Sequence, residues 1–193
     1  MIFVIDTSSA MSAIALLEAD GRVMREELQP SGRSFDLPAR FDALAAGEPI
    51  TRVAVATGPG SFTGLRVGVS FGLGLAIGFN VPIVPLPTLR IQLSRADGEV
   101  TAVAEAGRGR VYYERFDGAS GIAEATEVPA DRPLVGWLRP ATGQLLAGAG
   151  LRFVPDTELG SFGAAAARIL ETAGEVPYGS LKLEYRQSFT PRL

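Results

Sequence analysis

Two short stretches carry the residue types from which phosphate or acyl-transfer chemistry is built. Asp6-Thr7-Ser8-Ser9 follows directly on the apolar run at residues 2–5, and Gly58-Pro59-Gly60-Ser61-Phe62-Thr63-Gly64 follows a second such run at 53–56. A carboxylate at a strand end can orient a metal-bound phosphate, and a glycine turn that opens a helix offers free backbone amides to an anion. The spacing excludes three specific devices. A P-loop needs Gly-x-x-x-x-Gly-Lys-[Ser/Thr], but Leu65 and Arg66 follow Gly64. A dinucleotide fingerprint needs Gly-x-Gly-x-x-Gly, and Thr63 stands at the third glycine position. A nucleophile elbow needs Gly-x-Ser-x-Gly, whereas Pro59 and Thr63 stand two residues either side of Ser61. What is left is generic anion binding at a helix start, with Asp6, Thr7, Gly60 and Ser61 as the weak cofactor-binding candidates.

Composition narrows the chemistry further. The 193 residues include no histidine and no cysteine. That removes Ser-His-Asp devices, HExxH zinc sites, thiolate metal sites, cysteine nucleophiles and disulfides. Neither a metal site nor a catalytic residue is expected, and no cofactor is assigned. The net charge of -3 gives no clustered positive field for gripping nucleic acid or anionic lipid. The N-terminus reaches Asp6 without a basic region, so it does not read as a signal peptide. Residues 67–89 are free of charge and long enough to span a bilayer, but Pro82, Pro85 and Pro87 break the second half. A buried helix followed by a buried strand is the expectation there, with no membrane partner and a reducing, cytoplasmic setting.

The elements that would position these residues form one α/β cycle and part of a second. Residues 2–5, 12–17 and 22–29 read as a three-stranded meander, with a type I′ turn expected at Asp20-Gly21. A first helix follows over about 34–46, starting near Ser34 or Asp36 because Pro38 fits only a first turn. A strand at 53–56, a helix over about 62–78 and a strand at 81–86 complete the first lobe. Residues 100–105 and 110–116 predict a hairpin, Leu145 to Ala149 a further strand, and Ser161 caps a helix at 164–173. The stretch 117–143 yields no assignment. The domain boundary falls at 1–94 and 95–193.

The long helix is unusual. Gly64, Gly68 and Gly72 recur every fourth residue, and Gly74 and Gly78 form another such pair. Each helical glycine costs roughly 0.5–1 kcal/mol relative to alanine. Close approach of another backbone is the natural compensation. Leu65, Val69, Leu73 and Ile77 make one apolar stripe and Val67, Phe71 and Leu75 a second, so the helix should be covered on more than one side. Either the first helix covers the second stripe or another subunit does; the partner surface is the reading preferred here. Its residues are Phe41, Leu44, Gly64, Val67, Gly68, Phe71 and Leu75.

IDTSSAMSAIALL, GPGSFTGLRVGVSFGLGLAIG, VPIVPLPTL and, more weakly, AGRGRVYYERF resemble the bacterial TsaB (YeaZ) family. The resemblance implies an actin-like fold (sugar kinase/Hsp70-type, ribonuclease H-like), with two lobes of mixed sheets. It implies a non-catalytic partner of the transferase TsaD in threonylcarbamoylation of adenosine 37 in tRNA, with the ATPase TsaE joining the complex. It also implies a homodimer when the chain is alone, pairing through the two helices of the first lobe, and contact with tRNA only through the complex. The alternative from another class is a small ATP-binding phosphotransferase or ATPase of the same fold. This chain departs from the family at Glu105-Ala106-Gly107, where relatives carry Asp-Ala-Arg. Its ending, Glu184-Tyr185-Arg186, is also short, which points to a reduced second lobe.

Overall fold

The computed structural model describes residues 1–32 and 36–184. Ser34 as a helix start and Tyr185-Arg186 lie outside the described residues. The first sheet comprises β1 (Ile2–Asp6), β2 (Met11–Leu17), β3 (Val23–Pro30), β4 (Arg52–Gly58) and β5 (Ile83–Pro87), in the order β3-β2-β1-β4-β5. β1 pairs antiparallel with β2 (Ile5 opposite Ile14) and parallel with β4 (Ile5 beside Val55). The central strand is buried along its whole length, which is why it reads as an unbroken apolar run.

Strand alternation sorts the core into two halves. Phe3, Ile5, Ile14, Leu16, Val53 and Val55 face α1 (Leu37–Ala45) and α2 (Phe62–Phe79). Ile2, Val4, Ala13, Ala15, Leu17, Ala54 and Ala56 face Trp137 and α5 (Phe162–Leu170). Both faces of this sheet are therefore covered. The helix starts follow local chemistry: Asp36 accepts from Ala39 N, Ser61 from Gly64 N and Ser161 from Ala164 N. α1 and α2 end on residues in the left-handed region, Ala46 (φ 48) and Asn80 (φ 54).

A second sheet holds β6 (Thr101–Gly107), β7 (Arg110–Arg115), β8 (Ser120–Glu124) and β9 (Leu134–Val135), in the order β8-β7-β6-β9. The short α3 (Thr88–Leu93) leads from the first sheet to the second, and α4 (Pro140–Gly148) follows β9. Residues 95–193 thus supply the whole second sheet and also α5, which crosses back onto the first.

Two local expectations change. The β2–β3 connection is no type I′ turn. Only Gly21 has positive φ (+87), and its N–H donates to Glu18 O at 3.0 Å, so the loop is longer than two residues. Leu145 to Ala149 is no strand but mostly the second half of α4. Pro140 fits that helix's first turn, Thr142 and Leu146 bury one face at a four-residue spacing, and a short apolar run cannot by itself distinguish helix from strand. Gly148 and Gly150 accordingly belong to a helix end, Gly150 at φ +84.

Candidate functional site

The two sheets face each other across a cleft of about 1230 Å³. One wall is built from the β1–β2 turn, the end of β3 and the start of α2; the other contains Glu105, Gly107, Tyr112 and Arg139. Thr7, Gly60 and Ser61 line it, and Asp6 does not.

Each of the four sequence candidates already has a task within the chain. Asp6 is completely buried, and one carboxylate oxygen accepts from Ser8 N at 2.7 Å, closing the turn. Its other oxygen has no hydrogen-bond partner. Burial pushes this carboxyl's pKa up, against the lowering effect of the Ser8 hydrogen bonds. The Thr7 hydroxyl donates to Gly64 O at 2.7 Å, fastening α2 to the end of β1. Ser61 caps α2 through its side chain, and its N–H donates to Ser8 O at 2.6 Å. At Gly60 a Cβ would overlap Ser8 O, so glycine alone permits that approach.

The opposite wall is similarly committed. Glu105 accepts from Arg139 N at 2.8 Å and from Thr142 Oγ1 at 3.1 Å, so its carboxylate caps the start of α4. Sequence reading misses this role because the partners are 34 and 37 residues away. Of the adjacent tyrosines, Tyr112 is buried in the second core and Tyr113 half-buried on the opposite side.

The glycines of α2 fall into two sets. A Cβ at Gly64 would overlap Thr7 O, at Gly68 Thr7 Oγ1, and at Gly72 the Val55 side chain. These three, with Leu65 and Ala76, form the sheet-facing stripe. Among the described residues, nothing lies within 4 Å of such a Cβ at Gly74 or Gly78. Around them lies the outward face, where Phe62, Val67, Ile77 and Phe79 are 53, 49, 55 and 48 % exposed.

The residues expected at a partner surface are thus divided. Val67 stands on the outward face, and Phe71 and Leu75 are half-buried. Gly64 and Gly68 face the sheet, and their lack of a side chain is accounted for inside the chain. Phe41 and Leu44 are buried; the Phe41 ring meets Phe3 at 4.9 Å, Phe71 at 6.1 Å and Phe79 at 6.0 Å in an aromatic seam between α1 and α2. Sequence periodicity groups Ile77 with Leu65, but Leu65 is buried against the sheet and Ile77 is exposed on the outward face.

Within the single chain α2 is covered on more than one side but not all round: Leu65, Gly68, Gly72 and Ala76 are buried toward the sheet, Phe71 packs against Phe41 of α1, and Phe62, Val67, Ile77 and Phe79 stay about half exposed. By length and composition alone α2 could cross a membrane, but here it is fastened to the sheet through Thr7 and three glycines.

This arrangement, a five-stranded mixed sheet with helices on both faces and a cleft to a smaller sheet, is the actin-like two-lobe fold. "YeaZ from Pseudomonas aeruginosa" superposes with a TM-score of 0.74 over 95 % of this chain and 98 % of that one, at 17 % identity. A family model described as "TsaD: tRNA N6-adenosine threonylcarbamoyltransferase" matches residues 42–131. The chain is 31 % identical over 147 residues to "tRNA threonylcarbamoyladenosine biosynthesis protein TsaB" of Bacillus subtilis, covering 71 % of this chain and 64 % of the relative. It is 34 % identical over 140 residues to the protein of the same name from Escherichia coli, covering 65 % and 60 %. The chain therefore belongs to the TsaB (YeaZ) family, although it spans less than two thirds of the length of these curated relatives.

Proposed function

We propose that this chain is a non-catalytic scaffold subunit in the making of threonylcarbamoyladenosine at adenosine 37 of tRNA. In this reading it binds the transferase TsaD through α1 and α2, TsaE joins that complex, and the chain pairs with a second copy when alone. It works in the cytoplasm, away from membranes, and meets tRNA only through the complex. The names of its curated relatives support the pathway, and the match to the transferase model supports descent from a common two-lobe ancestor.

The observation that carries the binding role is the outward face of α2. Four large apolar side chains are about half exposed along it, beside two glycines with open space over them and with Arg66 and Ser70 exposed between them, and exposed apolar side chains gathered on one helix are the kind of feature that marks a protein interface. Chemical silence is supported by the cleft, where Thr7, Ser61 and Glu105 are held in internal hydrogen bonds and Asp6 lies behind the turn. The test is co-purification with TsaD from the same organism. Val67→Glu and Ile77→Glu should each weaken capture by at least about tenfold, because the complex would bury an unpaired charge. The thermal midpoint of the isolated chain should stay within about 2 °C, as for most surface changes. Undiminished capture by both variants overturns the assignment. Phe71 is unsuited to the test, since its ring packs against Phe41 inside the fold.

A second reading, a small ATP-binding phosphotransferase or ATPase, draws on the cleft, whose volume would admit a nucleotide. Titration calorimetry with ATP-Mg separates the two: tight binding by the isolated chain favours the enzyme.

A further inference from the structure

Arg95 is one of the few buried charged residues in the molecule, at 5 % exposure. Its Nε donates to Gly160 O at 3.2 Å, and its terminal nitrogens donate to Gln92 Oε1 at 3.1 Å and Asp156 Oδ1 at 3.0 Å. The guanidinium carbon lies 4.6 Å from the centre of the Trp137 ring. The Arg95 carbonyl also accepts from Gly160 N at 2.7 Å.

Among the described residues, these contacts link both connections between the two sheets. Gln92 and Arg95 belong to the outgoing connection, α3 and the residues after it. Asp156 and Gly160 belong to the returning connection, which enters α5 at Phe162. Trp137 follows β9 in the second sheet, yet its ring packs with Phe162 at 6.2 Å in the core of the first, and its carbonyl accepts from Ala10 N at 3.3 Å. Ala10 lines the cleft. A second rung lies outside: Arg168 of α5 donates to Ser94 O at 2.9 Å and Asp97 Oδ1 at 3.2 Å.

A buried guanidinium is an expensive way to fill space, since an apolar side chain of similar volume would avoid its desolvation. Gln92 bears part of that cost: its carbonyl is turned to Arg95 and its amide nitrogen is left without a partner. What a planar, multidentate donor supplies and a greasy chain does not is a fixed angle between the segments it joins. We propose that Arg95 is the pin of the interlobe joint, holding both connections and Trp137 in one setting so that the cleft keeps a constant width instead of opening and closing.

The chain contains no cysteine and a single tryptophan, which makes the joint accessible to measurement. Spin labels on Ala19→Cys, in the β2–β3 turn, and Ala141→Cys, at the start of α4, report the separation of the lobes. The otherwise unaltered chain should give one narrow distance, and Arg95→Lys should at least double the width of the distribution and red-shift Trp137 fluorescence. A distribution already broad or split with Arg95 in place, or one that Arg95→Lys leaves as narrow, overturns the proposal. Should Arg95→Lys fail to fold, amide exchange of the unmodified chain decides. The N–H groups of Gly160 and Ala10 should exchange as slowly as those of β1, through global unfolding only. Exchange a hundredfold faster than β1 would mean that the joint opens by itself, and the pin would be refuted.

Discussion

Gly64, Gly68 and Gly72 stand on the sheet side of α2; Gly74 and Gly78 stand on its outward side. The residue type and the four-residue spacing are the same, yet the two sets answer different demands. The inner three are required by this chain's own backbone and side chains, because a single added carbon would overlap Thr7 or Val55. The outer two meet nothing within 4 Å among the described residues. They carry the conformational cost of glycine with no close packing in return, which is what a partner surface as proposed above would supply. In the reading proposed above, fold and interface are written in the same letters on opposite sides of one helix.

The comparison breaks most visibly at Gly64. Gly64→Ala places a methyl group where the Thr7 carbonyl oxygen sits, and neither belongs to a flexible side-chain end. α2 must lift from the sheet, at a cost of about 3 kcal/mol or more. For a chain of this size that lowers the thermal midpoint by about 6–12 °C. A variant that melts with the unaltered chain would show that the inner set is not needed for packing.

The outer set should respond with the opposite sign. Gly74→Ala with Gly78→Ala meets open space and gains helix propensity, about 1–2 kcal/mol for the pair. The isolated chain should melt about 2–8 °C higher. Capture of TsaD should nonetheless weaken, since the added methyl groups keep a partner helix at a distance. Higher stability with unchanged capture would place the interface elsewhere on the molecule. A smaller check is Ser61→Ala, which removes the cap on the Gly64 N–H that begins the helix and costs about 1 kcal/mol while leaving every glycine in place.

Much of this arrangement is legible in the sequence wherever the cause is local. β1, β2, the ends of α2 and the helix starts at Asp36 and Ser161 follow from apolar runs, turn residues and hydroxyl or carboxylate caps, all within a few residues; Ser61, read as an anion-binding candidate, is a cap of the same local kind. The elements that escape reading depend on distant partners. β9 is two residues long and exists because β6 lies beside it. α3 has six residues and no side-chain cap. At the site, spacing finds the glycines but not their direction, because only the sheet beneath distinguishes Gly72 from Gly74. Nothing near Arg95 in the sequence announces its burial; Asp156 and Gly160 lie 61 and 65 residues on.

The smallest effect concerns Asp6, beneath the inner contact. Burial raises its pKa above the ordinary carboxylate value, which is about 3.9 in an unfolded chain. Between that value and the raised one, the native state holds a proton that the unfolded state has released. Stability contributed by this group is therefore fully present below the unfolded pKa and declines as pH rises toward the native one. Asp6→Asn keeps the acceptor for Ser8 N–H and abolishes the titration. The amide nitrogen then occupies the place of the carboxylate oxygen that has no partner. An unpaired buried donor carries its own cost, about 1–3 kcal/mol, which offsets much of the gain from losing the charge. The informative quantity is the slope: denaturation midpoints measured from pH 4 to pH 8 should fall less steeply in Asp6→Asn than in the unaltered chain. Identical slopes would mean that the carboxylate is relieved by solvent or a neighbour, and that the turn holding α2 is looser than its hydrogen bonds imply.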